Sequence, residues 1–164
     1  ESSEAKASTK GDFEGFIKVK DLKMDYSLIP DFRGFYKVLN PKHKSPKYIN
    51  PGVGGYFKGK DPNVPLEVLK ANEVQGTDVV YIGKAGGLES SATLRSRLKQ
   101  YLKFGDGNSV GHFGGRFIWQ LDNYSDLIIC WKEMPTGLPR EEEKRLIKEF
   151  KKQFSKRPFA NLKD

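Results

Sequence analysis

Four short segments rich in aromatic and β-branched residues constrain this chain more than anything else in it. They are 34–39 (GFYKVL), 78–83 (DVVYIG), 116–121 (RFIWQL) and 127–131 (LIICW), and runs of this length and content predict strands. Two other segments carry apolar residues at helical spacing instead. Thr93 is placed to cap the first, which runs to about Phe104 with Leu94, Leu98, Tyr101 and Leu102 on one face. Pro139 opens the second, which runs to about Phe154. The order β, β, α, β, β, α predicts an α+β fold, a small sheet with helices packed on it.

The rest of the chain is punctuation. Residues 40–65 hold five prolines and four glycines, so a long irregular loop is expected, with a short helix behind Pro65. The segment around Phe13, Phe16, Ile17 and Val19 is apolar but of no clear type, and residues 1–12 read as a flexible tail. The expected organisation is thus one domain over 13–164, with an insertion at about 40–77. Cys130 has no second cysteine to bridge to, which fits a reducing, cytoplasmic setting. No apolar run is long enough for a membrane helix.

Charge narrows the partner only partly. The chain carries 29 Lys+Arg against 21 Asp+Glu, a net +8. Such a surplus favours nucleic acid, then anionic membranes or acidic proteins, with plain solubility as the ordinary alternative. Six lysines and no acid lie between Lys37 and Lys60. Among them Lys42, Lys44, Lys47, Lys58 and Lys60 are candidate phosphate contacts, with a merely solvated loop as the alternative. His112, in a Gly-rich loop, is a further candidate contact.

The last helix holds the most informative single residue. At about 100° per residue, Leu146, Ile147, Phe150 and Phe154 make one apolar stripe, and Glu143 projects near its middle. An inward carboxylate is costly unless a cation meets it. Equally, acids suit the first turn of a helix, where water reaches them. In the other helix, Arg95 and Arg97 flank the apolar stripe on opposite edges, and periodicity does not choose between them.

The ordered motifs supply what periodicity leaves open. Gly34-Phe35-Tyr36 and Tyr81-Ile82-Gly83-Lys84 resemble the two signatures of the GIY-YIG nuclease family. Arg97 followed by Tyr101 is similar to that family's helix motif. Glu143 with Leu146-Ile147 is similar to its metal-binding glutamate helix, and Asn161 falls where it has a late asparagine. Five motifs in order span about 30–162. The first reads Phe where the family has Ile, and about 44 residues separate Tyr36 from Tyr81 in place of a short hairpin. Tyr56, after Gly55, is a rival for the first tyrosine position.

The resemblance implies a GIY-YIG-like central sheet with loop insertions, and a divalent-metal-dependent DNA endonuclease. Tyr36, Tyr81, Lys84, Arg97, Tyr101 and Glu143 would form its site, with magnesium or manganese held by Glu143. It implies Asn161 as a positioning or nucleic-acid-contacting residue, DNA as partner, and a homodimer if the role is restriction-like. Repair or mobile-element nucleases share these motifs. The alternative from another class is a non-catalytic nucleic-acid-binding module on the same scaffold.

Overall fold

In the computed structural model the described residues are 13–54, 61–87, 90–107 and 113–162, with the side chains of 113–115 excepted. They form an α+β structure around a four-stranded, wholly antiparallel sheet. Its strands are β1 (Glu14–Lys18), β2 (Gly34–Leu39), β3 (Val79–Ala85) and β4 (Ile128–Glu133), in the spatial order β1-β4-β2-β3. The helices are α1 (Val19–Met24), α2 (Leu66–Ala71), α3 (Leu94–Phe104) and α4 (Pro139–Phe154).

Two elements differ from the sequence expectation. The 116–121 segment is not a strand but part of a 3₁₀ helix, Phe113–Gln120. A short continuous apolar run fits a buried helix as well as a buried strand. Here Phe117, Ile118, Trp119 and Leu121 are all buried. The carbonyls of Trp119 and Gln120 accept from the backbone N–H groups of Val53 and Ile49, and the Gln120 side chain bonds both backbone groups of Val64. That segment therefore satisfies the polar backbone of the proline-rich loop rather than extending a sheet. The fourth strand is instead β1, paired to β4 through a bulge between Gly15 and Ile17. That bulge breaks the alternation by which β1 could have been read.

The sheet has two unlike faces. Tyr36 and Val38 of β2, with Ile129 and Trp131 of β4, belong to the large core, which α3 fills with Leu94, Leu98, Tyr101 and Leu102. The capping box between Thr93 and Ser96 fixes where α3 starts. On the opposite face α4 packs against β3 and β2, burying Ile147 and Phe150. Lys37 alternates with Tyr36 and lies on this second face, 8% exposed, its ammonium 4.6 Å from the centre of the Phe13 ring. It is thus no part of a solvated lysine loop.

β3 is an edge strand, and the C-terminal segment guards it. Ala160 donates to the Val80 carbonyl, and the Asn161 side chain bonds both the N–H and the C=O of Ile82 at 2.9 Å. Among the described residues no helix is long and apolar enough to cross a membrane.

Candidate active site

The two signature glycines are there because the strands leave no room for a side chain. A Cβ on Gly34 would overlap the backbone carbonyl of Lys132 on β4, and one on Gly83 would overlap the Tyr36 ring. Tyr36 and Gly83 are register partners, so the ring of Tyr36 lies across Gly83 toward β3. This brings the Tyr36 and Tyr81 ring centres to 6.1 Å. Tyr101 of α3 backs both, at 6.3 Å from Tyr36 and stacked at 5.4 Å on Tyr81.

Beside these rings is a cavity of about 230 Å³, lined by Tyr36, Tyr81, Lys84, Arg97 and Glu143, with Ala85, Gly86, Ser90 and Ala92 completing the wall. β2 and β3 supply the tyrosines and Lys84, α3 supplies Arg97, and the first turns of α4 supply Glu143. Residues more than a hundred positions apart thus meet in one polar hollow. Tyr101 is not among the residues lining it: the side chain has no exposed surface, and its ring packs on the two tyrosines and on Trp119, so it backs the site.

The electrostatics follow from that arrangement. Burial raises the Tyr36 hydroxyl well above its usual range, and the neighbouring Tyr81 adds to this. Burial also raises Tyr81, with the Glu143 charge, to about 12, while Arg97 and a hydrogen bond with Tyr36 oppose the rise. That bond raises Tyr36 and lowers Tyr81, the signature of Tyr36 donating to the Tyr81 oxygen. Glu143 is raised by burial, against the pull of Lys84, Arg140, Arg97 and Lys144. One half-buried carboxylate therefore faces four cations.

Arg97 and Arg95 separate clearly. Arg95 donates to the carbonyl of Ile29 at 2.9 Å and lies 3.9 Å from Asp31, which ties it to the loop before β2. Arg97 lines the cavity and also donates to the Gln100 side chain. Arg140 and Lys144 went unnoticed in the sequence. Their positions, three before and one after Glu143, were the available signal.

The expected nucleic-acid contacts fare differently. Asn161 is 8% exposed and its amide is spent on Ile82, so it positions β3 and is not placed to touch a nucleic acid. Lys42, Lys44 and Lys47 are exposed but follow Leu39, at the opposite end of β2 from the Gly34–Ala85 pair near the cavity. Beside these lysines, Tyr48 stacks on Phe159 and donates to Glu73 at 2.5 Å. Lys58, Lys60, His112 and the rival Tyr56 lie outside the described residues.

The donor set fits a magnesium-like ion. Glu143 offers a hard carboxylate oxygen, and the cavity volume compares with about 30 Å³ per liquid water, room for about seven. Magnesium prefers one or two carboxylates with water in the remaining positions. Among the described residues no group of three or more His, Cys, Asp or Glu converges, here or elsewhere. The chain matches no protein-family model, no curated protein and no solved structure.

Proposed function

We propose that this chain is a divalent-metal-dependent endonuclease that hydrolyses DNA phosphodiester bonds, of the GIY-YIG kind that its motifs resemble. The observation that carries the reading is the convergence of Tyr36, Tyr81, Lys84, Arg97 and Glu143 on one polar cavity. Glu143 would hold the metal, whose positive charge would polarise the phosphate and favour loss of a proton from bound water or a nearby hydroxyl. Arg97 presents a planar fork of donors suited to a phosphate and to the extra negative charge of its transition state.

Tyr81 would take the proton of an attacking water. With its pKa at about 12 it keeps its own proton at neutral pH, so that role requires positive charge close by. Arg97 and the hydrogen bond with Tyr36 both favour the deprotonated form. Lys84 favours ionised Glu143. Within this reading, an intracellular, restriction-like homodimer is the finer proposal, since two equivalent sites would cut two strands.

Supercoiled plasmid incubated with magnesium, with manganese and with a chelator tests the reading. Metal-dependent nicking is expected. Glu143→Ala should cut at least about 10³-fold more slowly, from loss of several kcal/mol of charge stabilisation, while still binding DNA. Full activity in that variant would sink the assignment, and binding without cutting by the wild type would favour a non-catalytic module. Discrete fragments from linear DNA would support the restriction-like role.

A further inference from the structure

We infer that one flank of α4 is a track for a nucleic-acid backbone leading to the cavity, built from Arg140, Lys144 and Lys148. The inference rests on the endonuclease reading for its direction but not for its charge. The three residues recur every fourth position, so they fall within about 80° of arc and span about 12 Å of helix. All three are exposed. Arg140 and Lys144 lie within one helical turn of Glu143, which lines the cavity with Lys84 and Arg97, so the cation row begins beside that cavity.

What marks this flank is that its cations are tied up in no ion pair with the described residues. On the outer side of the same helix, Arg145 is clasped between Glu142 and Glu149. Among the described residues, none of Arg140, Lys144 and Lys148 forms an ion pair, and Glu141, the exposed acid of the first turn, pairs with none of them. A duplex strand presents a phosphate about every 3.4 Å along its axis, so a 12 Å row matches three or four of them. A row ending in a concave polar cavity suits a narrow polymer better than a flat membrane. The substrate would therefore lie along α4, and not over the 42–47 lysines that the sequence had offered.

The test is binding of a fluorescently labelled duplex of about 20 base pairs to the full chain in chelator, across a salt series. Each phosphate contact contributes about −0.9 to the slope of log affinity against log salt. The triple variant Arg140→Gln, Lys144→Gln, Lys148→Gln should flatten that slope by about 2 to 3 and weaken binding on the order of 100-fold at about 100 mM salt. Each single variant should flatten it by about 1, which keeps the test informative should the triple variant melt early. The control triple variant Lys42→Gln, Lys44→Gln, Lys47→Gln should keep the wild-type slope.

An unchanged slope in the helix variants overturns the inference, as does an equal loss in both triple variants. So does loss of binding to phosphatidylserine vesicles with duplex binding intact, which would make the flank a membrane contact. Failure here is separable from failure of the endonuclease reading. If the wild type never cuts but the slope difference holds, the nuclease falls and the track stands. If the helix variant binds and cuts as the wild type does, the track falls and the nuclease stands.

Discussion

A tyrosine and a glutamate come together near each of two ends of the sheet, and the two pairs have opposite fates. Near the 40–47 end, Tyr48 donates straight to Glu73, and the slot around them, lined also by Val79, Val80, Leu121 and Phe159, has about 20 Å³ of space. Near the Gly34–Ala85 end, Tyr81 and Glu143 face about 230 Å³ in the company of Lys84 and Arg97. Burial raises both tyrosines, but Tyr48 is raised further by its bond to Glu73, whereas Arg97 and Tyr36 pull Tyr81 down. A hydrogen-bonded pair in a filled slot has its donor and acceptor committed to each other. Tyr81 and Glu143 instead share an open, cation-lined volume that a ligand could enter. Residue type alone does not make a site; the cations and the space do.

Replacing each tyrosine by Phe should break the symmetry most sharply. Tyr81→Phe should slow DNA cutting by about 10²-fold or more, the scale of a lost proton-transfer group, with little change in melting temperature. Tyr48→Phe should leave cutting within about twofold but cost about 1 kcal/mol, the worth of one hydrogen bond, or about 2–4 °C in a chain of this size. Plasmid cleavage and thermal melts on the same preparations read both. If Tyr48→Phe impaired cutting as much as Tyr81→Phe, the division into a committed and an available pair would be lost.

Gly83→Ala sharpens the same contrast from the backbone. The added methyl meets the Tyr36 ring, which must shift, and with it the bond that Tyr36 makes to Tyr81. Overpacking of this kind costs about 1–3 kcal/mol. Melting should fall accordingly and cutting should fall with it. An equivalent change at Gly76, where the nearest heavy atom is 3.6 Å away on Phe154, strains only a positive φ and should leave cutting untouched.

Much of this was legible in the sequence because single residues carried it. β2 and β3 announced themselves by aromatic and β-branched runs, and α3 by Thr93 and its apolar spacing. Glu143 stood out as an acid in an apolar stripe. What could not be read was tertiary. The 116–121 run satisfies loop backbone groups that no local pattern reveals, and β1 is disguised by its bulge. Tyr101 shares the helix spacing of a site residue, yet Trp119 and two tyrosines wall it in. The lysines of 37–47 looked alike in sequence, but strand alternation buries one on the α4 face and leaves the others at the far end of the sheet.

The smallest effect tests whether Glu143 is as uncommitted as its surroundings imply. Burial raises its pKa in the fold above the usual 4.5, so the folded state favours the protonated form. Below about pH 4.5 both states are protonated and the carboxyl costs nothing. As pH rises past that value the unfolded chain ionises more readily than the folded one, and stability is lost until the folded carboxyl has also ionised. Glu143→Gln should therefore melt with the wild type at about pH 3 and slightly above it at pH 7, in chelator. Adding magnesium should reverse the order at pH 7, because an ion bound by the folded wild type stabilises it by mass action and the Gln variant loses that gain. Tyr48 gives a control of the same sign at another pH: its raised hydroxyl stabilises the fold up to about pH 10 and that stability is lost above it, with no response to magnesium. If magnesium raised the melting temperatures of wild type and Glu143→Gln equally, Glu143 would not be the ion's ligand. The contrast between the two pairs would then reduce to packing.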